Sequence, residues 1–178
     1  MAYIYYKGSG ISDFIFKNTN SSILWLVIRI YVGWSWLVAG WDKIINPAWF
    51  GSNAGAGITG FLNGSLTKTG GAHPDVSMWY AWFIQHVVLP YAHIWSYVIT
   101  IGEVLIGAAL ILGIFTGIAA FFGSFMNLNF MLAGSVSVNP ILFVLGMGVC
   151  MAWRVAGYYG VDHYLLPYVQ NKNNKTTS

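Results

Sequence analysis

The sequence predicts an all-α integral membrane protein: a four-transmembrane-helix antiparallel bundle with an extracytoplasmic loop and interfacial helix between helices 1 and 2. Three observations lead there. Of the 178 residues, 57% are hydrophobic and 7% charged, whereas a soluble domain carries about 25% charged residues. Nine tryptophans and eleven tyrosines supply the rings that gather at the two membrane interfaces. Long apolar runs also recur at the length that a hydrocarbon core of about 30 Å demands of a helix, about 20 residues. The formal charge of +3 comes mainly from lysines near the ends and forms no basic stripe, so no nucleic-acid partner is expected.

The whole chain, residues 1–178, reads as a single membrane domain. The N-terminus lacks the basic start and short apolar core of a cleaved leader, so the first apolar run is expected to be retained as a span. That span covers residues 23–44 and contains Arg29. An outer loop, residues 46–91, follows and is rich in Gly, Asn, Ser and Thr. Its second half, "VSMWYAWFIQHVVLP", repeats aromatic and aliphatic residues at helical spacing. At about 15 residues it is short for crossing a bilayer and is expected to lie along the interface. The second span, residues 92–112, contains Glu103. The third, residues 115–135, contains Asn127 and Asn129, and the fourth, residues 140–158, starts at a proline suited to a first helical turn and carries Arg154 near its end. The loops "GIFTG" and "VSVN" are short, which makes neighbouring helices antiparallel. Lys7, Lys17, Lys172 and Lys175 flank the terminal side and only Lys43 and Lys68 the other. The positive-inside rule then places a multi-pass protein in the plasma membrane with both termini cytoplasmic and the long loop outside.

An ionisable side chain inside a span costs about 2.5–3.5 kcal/mol to insert, so each needs a partner or a purpose. Counting depth at about 1.5 Å per residue makes an Arg29–Glu103 pair geometrically possible, with Arg154 as a second candidate for the same carboxylate. That pair serves either as an ion pair orienting the bundle or as a proton-handling carboxylate beside a quinone headgroup or substrate anion. On the third span Thr116, Ala120, Gly123, Asn127 and Gly134 share a narrow face that lets another helix approach closely. Asn129, two positions beyond Asn127, is turned about 200° away. It is left for a ligand, a neighbouring subunit or the headgroups. Where the first span leaves the membrane, Asp42 and Lys43 stand among Trp34, Trp36, Trp41 and Trp49. The cluster is either an aromatic belt with a snorkelling cation or an anion anchor, with His93 as a further substrate contact.

Cys150 is the single cysteine, which excludes an intramolecular disulfide, a CxxC pair and a multi-thiolate metal site. Redox chemistry in this chain therefore needs a bound organic cofactor or a partner subunit. His86 and His93 are seven positions apart with Pro90 between them, so they need not share a helix face, and neither haem nor a metal is expected. No phosphate-binding, zinc-protease or serine-hydrolase motif occurs.

The segments "RIYVGWSWLVAGWDKIINPAWF", "IGEVLIGAALILGIFTGIAAFFGSFMNLNFMLAGSVSVNP" and "AWRVAGYYGVDHYLLP" together resemble the DoxX/DoxD family, specifically the DoxD-type subunit of thiosulfate:quinone oxidoreductase. The resemblance runs from about Arg29 to Pro167. It implies a four-helix membrane subunit that, with a small DoxA-type partner, oxidises thiosulfate to tetrathionate and passes the electrons to membrane quinone. Association with respiratory oxidase subunits, as a non-catalytic accessory of a terminal quinol oxidase, is the alternative it implies. The family's characteristic positions fall on Arg29, Gly40, Lys43, Glu103, Asn127, Asn139, Pro140 and Asp162, and Gly117 stands where many members carry a basic residue. On this basis Glu103 and Arg29 are the expected catalytic pair. Lys43, His93 and Asn129 are the expected substrate contacts, and Asn127, Trp36, Arg29 and Glu103 the expected quinone contacts.

Overall fold

The computed structural model describes residues 10–165 together with 167 and 168. Among them every regular element is helical. A short helix α1 (Gly10–Lys17) carries an Asp13–Lys17 ion pair one turn apart at 2.8 Å. The chain then turns on Ser21, whose hydroxyl donates to the carbonyls of Asn18 and Ile15, and enters α2 (Ser22–Ile44). At 23 residues α2 is about 34 Å long, enough for a bilayer core.

Which way each helix faces follows from where its side chains differ. On α2 the buried positions are Ser22, Trp25, Arg29, Val32, Gly33, Trp36 and Gly40, at steps of three and four apart from the adjacent Val32 and Gly33. Val27, Tyr31, Trp34, Val38 and Trp41 stand exposed on the other side. The pattern repeats on α5 (Ala92–Leu112), which buries Ser96, Thr100 and Glu103 and exposes Ile94, Val98, Ile101 and Leu105. Polar groups sit inside and large apolar side chains outside, the inverse of a water-soluble fold and the arrangement lipid favours.

Helices α2 and α5 are the tightest pair because glycines remove the side chains between them. A Cβ added at Gly107 would stand 2.5 Å from the Leu37 backbone nitrogen, and one at Gly40 would stand 2.8 Å from that of Val104. With Gly33 against Leu110, these contacts fix an antiparallel register. Gly113, at φ +68°, then turns the chain into α6 (Thr116–Leu132). Asp162 caps that helix from across the fold: its two carboxylate oxygens accept the N–H groups of Phe115 and Thr116, both at 2.8 Å, satisfying donors a helix start leaves open. Helix α7 (Asn139–Met151) begins with Pro140 in its first turn, as expected, and packs Gly146 against Ser124 of α6. The chain bends at Ala152 before a short α8 (Trp153–Ala156).

Three sequence expectations change here. Two stretches, Thr19–Ile44 and Met78–Leu112, have the length and apolarity to cross a bilayer, while Thr116–Leu132 and Asn139–Met151 are shorter apolar helices; the fourth expected span is cut by the bend at Ala152. The segment expected to be a separate interfacial helix is instead continuous with α5. It starts as α4 (Met78–Phe83) and passes through a π turn over Ile84–Val88 and a 3₁₀ turn over Leu89–Tyr91 at Pro90. The loop before it contains an additional helix, α3 (Ala56–Leu66), built on Ile58, Leu62 and Ser65. Helices α3 and α4 form a second apolar core around Ile58, Val76, Tyr80 and Ile84 over the ends of α5 and α6. Lys68 ties this cap to the bundle by donating to the Gly134 carbonyl at 2.7 Å.

Candidate functional site

Glu103 is 1% exposed, and its cation is Lys43. The ammonium lies 2.7 Å from the carboxylate Oε2, within 3.4 Å of the Ala39 carbonyl, and 5.2 Å over the Trp49 ring. The local cause is Gly40: without a side chain there, α5 approaches until Glu103 Cβ is at contact distance, and Lys43, one turn on, reaches the carboxylate. The last turn of a helix also favours a cation by its exposed carbonyls. The expected Arg29–Glu103 pair is therefore not formed, and Arg154, stacked on Trp153 at 5.0 Å, does not supply the counter-charge either.

Arg29 lies at the other end of the bundle. It donates to the Tyr159 carbonyl at 2.8 Å, packs against Gly113 and Gly160, where no Cβ could fit beside it, and feels the charge of Asp162. Gly113 lies ten residues beyond Glu103 on the α5 side, about 15 Å along the helix. The register, which counting depth from each span's start could not supply, separates the two groups expected to meet.

What the fold gathers with Glu103 and Lys43 is a set of hydrogen-bonding groups with no partner in the protein. Gly102 faces Met126, and Gly123 faces both Ile106 and the indole nitrogen of Trp36. These contacts put Asn127 on α6 at about the level of Glu103. Asn127 is fully buried, and both its amide nitrogen and oxygen are unpartnered. The indole N–H of Trp36 and the hydroxyl of Thr100, one turn before Glu103, are likewise buried and unpartnered. Unmet buried polar atoms cost about 1–3 kcal/mol each; these four come from three helices around the level of Glu103, while Arg29 Nε and Nη1 and the Thr116 hydroxyl are also unpartnered at the other end of the bundle. Thr100 is the member that sequence reasoning missed; its i, i+3 spacing to Glu103 was the available signal.

Two expected contacts lie apart. His93 is exposed at the start of α5 with its ring edge-on to Tyr97 at 5.1 Å. Asn129 does point away from Asn127, and the Tyr80 hydroxyl sits 3.0 Å from its side-chain oxygen and 3.0 Å from its carbonyl. It lines a groove of about 580 Å³ between α5 and α6, roofed by α3 and α4 and walled by Ile99, Leu105, Phe122, Met126 and Phe130. Phe130 divides the groove from the interior, with one face toward Trp36, centroids 6.4 Å apart, and its edge toward Phe61. Among the described residues no group of three His, Cys, Asp or Glu side chains is placed to hold a metal ion.

An apolar exterior, a charged pair and one free amide in the interior, and two helices of bilayer length define a membrane protein built to keep polar chemistry away from lipid. Residues 24–178 match the DoxD family, described as TQO small subunit DoxD, and the chain belongs to that family. Comparison with curated proteins and with solved structures gives no match.

Proposed function

We propose that the chain is the membrane subunit of a thiosulfate:quinone oxidoreductase, a multi-pass plasma-membrane protein with both termini in the cytoplasm, working with a small DoxA-type partner. Family membership supports the reaction class. The observation that carries the site is the unused hydrogen-bonding capacity of Asn127, Trp36 and Thr100 beside the Lys43–Glu103 pair.

The chemistry balances as follows. Two thiosulfate dianions join through a new sulfur–sulfur bond and give up two electrons; one quinone takes those electrons and two protons to become quinol. A quinone presents two carbonyl acceptors on a flat ring, and the Asn127 amide and the Trp36 indole N–H are donors without acceptors, so the residues present fit that headgroup. Glu103 is the proton donor. Lys43 holds its carboxylate until the proton arrives and then has an ammonium free for an anion at the wetter end, where its side chain is 19% exposed. His93, ten residues before Glu103 and so about 15 Å away along α5, is too distant to share one thiosulfate with Lys43, and Asn129 is engaged by the Tyr80 hydroxyl and the Phe125 carbonyl outside the cluster. Arg29 is assigned to architecture, holding the turn that carries Gly113 and Asp162.

The test is membrane vesicles from cells producing the chain with its partner subunit. Thiosulfate should drive reduction of a short-chain quinone, with tetrathionate formed in equal amount, and omission of the chain should abolish both. Copurification with haem-copper oxidase subunits, without thiosulfate-dependent reduction, would replace this reading with that of an accessory subunit.

A further inference from the structure

Trp49 stands outside the proposed reaction, yet its ring lies over the Lys43 ammonium, 5.2 Å from nitrogen to centroid. That is inside the range of about 6 Å in which a cation feels the electron-rich face of an indole. The chain around the ring is tied firmly to α5 and α3. The Trp49 carbonyl accepts the buried Ser96 hydroxyl at 2.6 Å, the Ala48 carbonyl accepts the Gly57 N–H at 2.8 Å, and Phe50 meets Tyr97 edge-on at 4.9 Å. Ser96 and Glu103, both buried, are two turns apart and share one face of α5. The same helix face therefore holds both the carboxylate that Lys43 meets and the backbone that carries the ring above it.

A further contact explains the glycine in the first turn of α3. A Cβ at Gly57 would press into the Trp49 indole, 2.6 Å from Cδ1 and 2.7 Å from Cε2, so the ring fits over Lys43 because α3 has no side chain there. Lys43 needs such a partner at one stage of the proposed reaction. To donate a proton, Glu103 must first be protonated, and the ammonium then loses its counter-charge and keeps the Ala39 carbonyl, at 3.4 Å, and the ring. A lysine on a flexible four-carbon stem moves its charge toward water when a route is open, and this side chain is already 19% exposed. We propose that Trp49 is a positioning residue: its ring face, set by Gly57 and Ser96, holds the Lys43 ammonium beside Glu103 while that carboxyl is neutral, so that the pair re-forms when the proton leaves. The proposal rests on the proton-donor reading of Glu103 above and adds to it the group that keeps the cation in place.

Acetylation of the native complex by a water-soluble succinimidyl ester, read lysine by lysine by mass spectrometry, tests the placement without turnover. Trp49→Leu keeps apolar bulk and removes the aromatic face, and it should raise the Lys43 rate about tenfold. Lys68, which ties the cap to the Gly134 carbonyl, reports general loosening of the cap and should keep its rate. Trp49→Phe retains a ring face and should stay within about twofold of wild type at both lysines. Gly57→Ala displaces the indole and should raise the Lys43 rate about fivefold, but add nothing in a Trp49→Leu background, because the two changes act through one contact. An unchanged Lys43 rate in Trp49→Leu, a parallel rise at Lys68, or a phenylalanine variant as reactive as the leucine one would overturn the proposal. In turnover, Trp49→Leu should lower kcat for thiosulfate-driven quinone reduction about tenfold with KM for quinone unchanged, and Trp49→Phe should recover most of that loss. A leucine variant with the wild-type kcat would overturn the proposal as well. Selective exposure of Lys43 in Trp49→Leu, with no thiosulfate-dependent reduction by the wild-type complex, would sink the proposed reaction and leave the placement of the cation standing.

Discussion

The Lys43–Glu103 pair is asymmetric, and the asymmetry sets what each substitution costs. Glu103 is buried to 1% while Lys43 keeps 19% of its side chain in contact with solvent. Lys43→Met leaves a carboxylate with no counter-charge in the interior, which costs about 3 kcal/mol or more. Thermal unfolding in detergent should show it as a Tm lower by roughly 6–12 °C for a chain of this size. Glu103→Gln leaves an ammonium that still has the Ala39 carbonyl and the Trp49 face, and its cost should stay near about 1 kcal/mol. The same glutamine variant cannot deliver a proton and should reduce quinone about a hundredfold more slowly. Equal Tm losses would show that burial does not decide the cost, and an unchanged quinone rate would remove Glu103 from the proton path. The sequence marks Glu103, Lys43, Asn127 and Trp36 as chemistry-bearing because ionisable and amide groups are rare among apolar runs. It mispairs Glu103 because composition says nothing about which helices slide past each other by how much.

Helix contacts carry the information that pairing lacked. Gly33, Gly40 and Gly107 are the places where α2 and α5 touch backbone to backbone, and they set the register that puts Lys43, not Arg29, at the carboxylate. Gly107→Ala would drive a methyl to 2.5 Å from the Leu37 nitrogen. Since a backbone atom cannot rotate away, the helices must part, at about 2–3 kcal/mol. Gly60→Ala on α3 meets nothing within 4 Å and should instead stabilise by about 0.5–1 kcal/mol. Comparing the two Tm values checks the assignment: a Gly107→Ala protein as stable as Gly60→Ala would mean that α2 and α5 are not in this register. The starts of α2, α5 and α7 were legible from Pro140, Pro90 and the apolar runs, as was the shared face of Thr116, Ala120, Gly123 and Asn127 on α6. Helix α3 was not, because its four glycine and serine positions hide a regular Ile58, Phe61, Leu62, Ser65 spacing inside what composition marks as a loop. The continuity of α4 with α5 was hidden by Pro90, which a π turn and a 3₁₀ turn accommodate.

At the scale of the whole molecule, the two polar clusters lie at opposite ends of the α2–α5 pair. Arg29 and Lys43 are fourteen positions apart on one helix, about 21 Å. One end holds the turn latched by Arg29 and Asp162 and faces α1; the other holds Lys43 and Glu103 beneath the α3–α4 cap. Between them the exterior is apolar on every long helix. In the proposed topology, lipid around that girdle separates the cap from α1, and the positive-inside rule gives α1 to the cytoplasm. A thiosulfate site on Lys43 would then open outward, and the substrate would not need to cross the membrane. Cysteine accessibility in intact cells decides this. In a Cys150→Ser background, Asn63→Cys on the exposed face of α3 should react with a membrane-impermeant maleimide, whereas Thr19→Cys, exposed just before α2, should react only after the membrane is opened. Reversed labelling would turn the protein over and place thiosulfate oxidation inside the cell. Labelling of both positions from outside would mean that α2 does not cross the bilayer.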